Sequence, residues 1–278
     1  MEMIAMISKK MKLVMAAAGL TARVGKTWTA VLAMTGCGGS SEKAKSGDAA
    51  KGGIPPVIRV GSETTFPPFE FTEGDKYVGF DLDLANAVTK QMGSKMEFKS
   101  LGFDALIPAV QSGQIDLIAA GFSANPEREK QVAFSDVYFD QNGFVIIVNK
   151  DNDTIKDWAD LEGKKVGAQV GTEPVKLIKE AKGEVKQLDS NSQAFMELRA
   201  KTLDAFVLDQ PVAMYYLKQG GDKDLKIVGT PKPGVGFVMA MKKENKELQA
   251  AVNKALKELK ANGEYDKIFE KWFGKAKK

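Results

Sequence analysis

Two side chains stand where simple chemistry would use them: an arginine just inside a helix start and an aspartate at the end of an apolar strand. In Gly121-Phe122-Ser123-Ala124-Asn125-Pro126-Glu127-Arg128, Asn125 suits an N-cap and Pro126 the first helical position, so a helix begins there. A helix start offers unpaired N–H groups and a positive dipole end to a carboxylate. Arg128, in the first turn, adds a guanidinium fork that can grip a carboxylate with two bonds. Asp209 follows the apolar run 203–208 and precedes Gln210-Pro211. An ionised carboxylate only accepts hydrogen bonds, which suits an ammonium group. The plainer alternatives are Arg128 paired with Glu127 or Glu129 on a solvated face, and Asp209 as a cap for the helix before Pro211.

Other chemistries are excluded by what the chain lacks. Its 278 residues contain no histidine, which rules out Ser-His-Asp and Cys-His catalytic units and any histidine-ligated metal. Cys37 is the single cysteine, so there is no internal disulfide and no thiolate cluster. A metal would need carboxylates and carbonyls alone. Asp81 and Asp83 are spaced like a metal pair, but an N-cap followed by a first-turn acid accounts for them better. No metal and no cofactor are expected. The formal charge of +4 comes from the N-terminus: without Lys9, Lys10, Lys12, Arg23, Lys26 and Glu2 the body is neutral. A neutral, evenly mixed surface is a poor match for nucleic acid.

The elements that must position these residues alternate between strand and helix. Strands are expected at 57–61, 96–101 and 115–119. A helix over 81–92 carries Leu84, Ala85, Val88 and Met92 on one face, and Asp104 is placed to cap a short helix reaching Gln111. The pattern then restarts, with strands at 165–170, 184–188, 203–208 and 225–228. Helices at 173–182, 192–201 and 210–218 separate them. A long helix over 245–261, striped by Leu248, Val252, Ala255 and Leu259, is stopped near Gly263. Such alternation argues for parallel sheets covered by helices. A weak echo links 111–117 to 199–205: each is a helix end, a turn and a strand start with Asp. Two similar α/β lobes follow, with polar loops at the carboxyl ends of strands, where ligands bind in open α/β sheets.

The N-terminus reads as an export signal: basic residues, an apolar run over 28–34, then small residues around Cys37. Met34-Thr35-Gly36-Cys37 resembles the lipobox of bacterial lipoproteins, with Met for the usual Leu, which makes Cys37 the expected lipidation site. Arg23 and Lys26 shorten the apolar core to near the lower limit of roughly 7 residues. The alternative is an incidental free cysteine. Residues 38–56, rich in Gly, Ser, Lys and Ala, cannot bury enough apolar surface to order themselves and read as a flexible tether.

Seven stretches, in order, carry a resemblance that covers nearly all of the folded body: GSETTFPPFEF (61–71), YVGFDLDLANAV (77–88), FDALIPAVQSGQIDLIAAGFSANPER (103–128), FSDVYF (134–139), VGAQVGT (166–172), LDAFVLDQPVAMYYL (203–217) and LKANGEYDKIFEKWFG (259–274). Together they resemble the polar amino-acid branch of the periplasmic solute-binding proteins of ABC transporters, family 3. The resemblance implies an α/β fold of two Rossmann-like lobes joined by two hinge strands, near 138–146 and 234–239, which close like a flytrap: the type II periplasmic-binding fold. Lobe 1 would comprise 57–143 and 234–278, and lobe 2 144–233, after a signal peptide (1–36) and tether (37–56).

The same resemblance implies roles. Arg128, Ser123, Gly121 and Thr172 would hold a ligand α-carboxylate; Asp209, with Gly121, would hold its α-amino group. Asn125 replaces the family's usual Thr. Phe66 and Phe103 match aromatics that sandwich the ligand's aliphatic stem, with core packing as their alternative. Thr172 has the alternative of a plain N-cap. Glu63 stands where binders of basic amino acids and of glutamine place an acid. A buried carboxylate needs a partner, which favours arginine or lysine, with glutamine next. Gln169, Glu173 and Gln210 are further side-chain candidates, Glu173 also being a dipole-favoured first-turn acid. Arg128 and Asp209 would then lie in different lobes, so one zwitterion could bridge them and favour the closed state.

The expected protein is thus a monomeric extracytoplasmic lipoprotein, anchored at Cys37 to the bacterial cell membrane, that binds a free amino acid and delivers it to an ABC permease without covalent chemistry. Two alternatives share the fold. One is a cyclohexadienyl (prephenate or arogenate) dehydratase-like enzyme with Glu173 as general acid, which requires a desolvated pocket. The other is an amino-acid sensor subunit.

Overall fold

The structure, a computed structural model, describes residues 53–275. The expected signal peptide, Cys37 and all but the last residues of the tether lie outside the described residues. No helix among those described is long and apolar enough to cross a membrane.

The chain opens with β1 (Val57–Ser62), then a small antiparallel meander of β2 (Thr65–Phe66), β3 (Glu70–Glu73) and β4 (Lys76–Val78). Helix α1 (Phe80–Gln91), β5 (Lys95–Ser100), α2 (Leu106–Ser112), β6 (Leu117–Ile118), the single turn α3 (Pro126–Glu129) and β7 (Val132–Phe134) follow. After residues 135–142 come β8 (Gly143–Asn149), β9 (Lys165–Gln169), α4 (Glu173–Glu180), β10 (Glu184–Leu188), α5 (Asn191–Arg199), β11 (Ala205–Asp209), α6 (Gln210–Lys218) and β12 (Leu225–Pro233). The chain then returns for β13 (Ala240–Lys242), α7 (Lys246–Ala261) and α8 (Glu264–Phe273).

Two five-stranded sheets result, ordered β5-β1-β6-β13-β7 and β10-β9-β11-β8-β12. They are mixed rather than purely parallel. β13 runs antiparallel to β6 and β7, and β8 runs antiparallel to β11 and β12. The antiparallel strands are those that adjoin the two crossings between sheets: β8 receives the chain on arrival, and β13 on return. The crossings themselves pair, with Phe237 N–H donating to the Phe139 carbonyl at 2.7 Å and Tyr138 N–H to the Phe237 carbonyl at 2.9 Å.

The echo between 111–117 and 199–205 is a repeated clasp. Asp116 donates its N–H to the Arg59 carbonyl and accepts the Arg59 N–H on Oδ2, both at 2.8 Å. Asp204 does the same with Lys165, both at 2.8 Å. In each lobe an aspartate before the strand thus fixes register with a neighbouring parallel strand.

β8 is buried along its whole length. Its residues alternate between two core clusters, Phe144, Ile146 and Val148 in one, Val145 and Ile147 in the other, as the period of a strand buried on both faces requires. In the first lobe Leu84 and Val88 of α1 lie in one core cluster with Leu248, Val252, Ala255 and Leu259 of α7. Gly263, at φ 77, starts α8 rather than simply ending α7.

Two capping expectations fail. Asp104 lies in a 3-10 turn that makes no side-chain cap, with α2 starting after it. Gly79, not Asp81, occupies the N-cap position of α1, and Asp81 is buried two residues further on, within the first turn. Asp83 is in the first turn, where its carboxylate receives Lys271 Nζ at 2.6 Å and Trp272 Nε1 at 2.7 Å from α8.

Candidate functional site

The carboxyl ends of four strands supply the site. Glu63 follows β1, Gly121 to Ser123 follow β6, Gln169 ends β9 and Asp209 ends β11. β1 and β6 are parallel neighbours, as are β9 and β11, so each pair delivers its loops to the same side. A small cavity lies there. It brings together Arg128, Ser123, Gly121, Thr172 and Asp209, and also Glu63, Phe66, Phe103, Gln169 and Glu173. Gln210 is not among its walls; it faces a separate groove with Pro211 and Tyr215.

Arg128 is 8% exposed and does not pair with Glu127 or Glu129. Its Nη1 donates to the Ser123 carbonyl at 2.7 Å and its Nη2 to the Gly171 carbonyl, in the other lobe, at 2.9 Å. The guanidinium lies 4.0 Å from the centre of the Phe122 ring and 5.3 Å from that of Phe103. Two of its five N–H donors are thus used to aim it, and the rest remain for an anion. Burial pulls its pKa down to about 10 against the opposing pull of Glu173 and Asp209, so it stays charged at neutral pH. The helix start contributes less than its sequence suggests. α3 has one turn, and the Arg128 N–H is already taken by Asn125 Oδ1 at 2.8 Å. The cap serves to position Arg128.

Asp209 makes no side-chain cap to α6. Its Oδ1 accepts Asn142 Nδ2 at 2.8 Å, and Asn142, on the first crossing, is a positioning residue that sequence reasoning missed. Burial raises Asp209 to about 7, with the Asn142 bond and the Arg128 charge acting in the other direction. Thr172 precedes α4 without capping it and donates its hydroxyl to the Gln169 carbonyl at 2.6 Å.

Glu63 is buried, and its carboxylate accepts the Thr65 hydroxyl at 2.9 Å and the Thr65 N–H at 3.1 Å. Burial raises its pKa, and the bonds from Thr65 and Gln169 lower it by less. Thr65 also accepts the Asn191 N–H from the second lobe at 3.1 Å. Gln169 accepts Asn191 Nδ2 at 3.2 Å. Phe66 lines the cavity and also packs on Phe69 and Phe237. Ser123 turns its hydroxyl toward the Val235 carbonyl at 3.4 Å. Glu173 is a third exposed and lies 3.6 Å from Lys176, not the desolvated setting that a general acid requires.

Gly121 differs from expectation in one respect. Its N–H is donated to Asp81 Oδ2 at 2.7 Å, which leaves its carbonyl as the group it can offer a ligand. Glu70, Phe144, Ala120 and Pro174 complete the walls. Glu70 could have been suspected only as an acid among the aromatics of PPFEF; a four-residue strand has no periodicity to show that it points inward.

Among the described residues no cluster of His, Cys, Asp or Glu could hold a metal ion. Arg128 and Asp209, opposite in charge, face one cavity from the two lobes.

Two α/β lobes joined by paired crossings, with a polar cavity between them, define the type II periplasmic-binding fold, a class of solute binders. The chain belongs to the bacterial extracellular solute-binding proteins, family 3, whose model matches residues 58–275. It is 37% identical over 246 residues to the arginine-binding extracellular protein ArtP of Bacillus subtilis, covering 87% of this chain and 92% of that one. Among solved structures, an ancestral arginine-binding protein bound to arginine is 49% identical with a TM-score of 0.75, covering 79% of this chain and 99% of that one. A structure of an ancestral arginine-binding protein bound to glutamine is 48% identical with a TM-score of 0.76, covering 80% of this chain and 100% of that one.

Proposed function

We propose that this protein captures a cationic L-amino acid, arginine first, and delivers it to an ABC permease from the outer side of the cell membrane, to which a lipid on Cys37 tethers it. The observation that carries this reading is the charge balance of the cavity. Arg128 is the one basic side chain in its walls, against Asp209, Glu63, Glu70 and Glu173. An amino acid uses one positive and one negative anchor for its backbone groups, and the remaining acids are left for a positive side chain. The binding of arginine by the relatives described above supports the choice.

In this reading the free N–H groups of Arg128, with Ser123 and Thr172, take the α-carboxylate. Asp209 and the Gly121 carbonyl take the α-ammonium, Phe66 and Phe103 flank the aliphatic stem, and Glu63 with Gln169 faces the distal charge. Glutamine is the second ligand of the proposal, supported by the glutamine-bound ancestral structure.

Calorimetric titration tests it. The purified protein, unfolded and refolded to strip carried ligand, is titrated with the twenty amino acids, ornithine and citrulline. Tighter binding of arginine or lysine than of glutamine is expected. Glutamine binding more tightly than either overturns the cationic assignment, and no amino-acid binding at all overturns the function.

A further inference from the structure

Beside the anchors lies an acid that the roles above leave unused. Glu70, the first residue of β3, lines the cavity yet is 1% exposed. Its Oε2 has no hydrogen-bond partner among the described residues, and neither has Oδ1 of Asp81. Each carboxyl acts on the ionisation of the other, their interaction raising Glu70 and lowering Asp81. Ionised carboxylates only accept, so two such buried oxygens satisfy one another only if a proton lies between them. Asp81 is held as the acceptor. Its Oδ2 receives the Tyr138 hydroxyl at 2.5 Å and the Gly121 N–H at 2.7 Å, and bonds donated to a carboxylate favour its charged form. The proton therefore belongs to Glu70.

The charges that act on Glu70 are those of Asp81 from α1, Glu63 from the end of β1 and Asp209 from β11, and Tyr138 of the first crossing is bonded to Asp81. All are acidic, and with burial they hold Glu70 well above the ordinary carboxylate range. Arg128, the one basic side chain in the cavity walls, is not among the groups that act on Glu70. A cation brought into the cavity is the change that would favour an ionised Glu70.

We propose that Glu70 reads the charge of the ligand: it keeps its proton, shared with Asp81, when a neutral side chain binds, and loses it to solvent when a cationic one does. The Glu70 O–H bond breaks, the proton passes to buffer, and the carboxylate left behind faces the ligand's positive charge. This rests on the arginine reading above. It adds a specificity residue besides Glu63, with Asp81 as its positioning partner.

The test compares arginine with citrulline, its neutral analogue of the same length, by titration calorimetry at pH 7 in two buffers of different ionisation enthalpy, which counts protons released. Both ligands carry an α-ammonium, so release from Asp209 is common to them, and the difference reports the side-chain charge. Arginine is expected to release more protons than citrulline. In Glu70→Gln the two releases should become equal, and the preference for arginine over citrulline should fall roughly tenfold, the factor carried by one pKa unit of coupling. Asp81→Asn, which removes the proton's other holder, should also abolish the excess and serves if the first variant melts early. Equal release in the unmodified protein, or an excess that survives both substitutions, overturns the role of Glu70. A protein that binds neither amino acid overturns the arginine reading itself.

Discussion

The guanidinium of Arg128, carried by the first lobe, donates from Nη2 to the carbonyl of Gly171 in the second at 2.9 Å. The same nitrogen set that would meet a ligand carboxylate thus also joins the lobes, so ligand capture and lobe approach are coupled through one side chain. Arg128→Ala should weaken arginine binding by about 2–5 kcal/mol, the cost of removing one member of a buried hydrogen-bonded charge pair. Arg128→Lys should be only partly better, because an ammonium cannot reproduce the fork that reaches two carbonyls and a carboxylate. Calorimetry reads both. An Arg128→Ala protein with unchanged affinity would exclude this residue as the anchor.

Asp209 gives ligand binding a pH dependence. With its pKa raised to about 7 by burial, the carboxyl is largely protonated below neutrality, and an incoming ammonium must displace that proton. Affinity should therefore fall as pH drops below 7, by up to about tenfold per unit for this one group, and level off above it. Asp209→Asn should bind weakly at every pH and show a flatter profile. Titrations between pH 5.5 and 8 decide the matter, and an Asn variant that retains the full slope would assign it to another group.

Residues at element starts and ends were legible in the sequence. Arg128, Asp209, Thr172 and Gln169 sit where a strand gives way to a helix, and local spacing shows such junctions directly. Asp81 shows where that legibility stops. Its spacing placed it at the beginning of a helix, but only the fold brings Tyr138 and Gly121 to its carboxylate. The meander β2-β3-β4 was invisible because strands of two to four residues are too short to display alternation, and Glu70 was hidden with it. The mixed character of the sheets was missed for a different reason. Strand direction in β8 and β13 follows from the two crossings between lobes, a long-range feature that no local pattern carries.

Gly121 sits at φ +52, and a Cβ built on it would lie 2.5 Å from Cε1 of the Phe66 ring. Gly121→Ala should cost about 1–2 kcal/mol for the left-handed backbone alone. It should cost more because Phe66 is wedged against Phe69 and Phe237 and has little room to yield. Arginine affinity should fall with it, since Phe66 and the Gly121 carbonyl share one wall of the cavity. Gly74→Ala is the control: φ there is +60 with nothing within 4 Å of the added atom. It should lower the melting temperature by the backbone cost and leave affinity unchanged. Equal effects from both variants would mean that the Phe66 contact does not matter.

The buried acids also set how stability varies with pH. Asp209 is raised to about 7 and Asp81 to about 6, while Glu63 and Glu70 are raised as well, all chiefly by burial. Between about pH 4 and 7 the folded protein therefore holds more protons than the unfolded chain, and stability must fall as pH rises through that window. The exposed acids shifted the other way, Asp151, Asp160, Glu197 and Asp224, contribute stability above their unfolded pKa values and lose it only in stronger acid. With no histidine in the chain, no side chain of ordinary pKa titrates between pH 5 and 8, so the trend can be assigned to the buried carboxyls. The melting temperature of the ligand-stripped protein should decline from pH 5.5 to 7.5, and Asp209→Asn should reduce the slope by removing one of the raised groups. A melting temperature that rises over this range would mean that these carboxyls ionise without cost, and that the cavity is wetter than its burial implies.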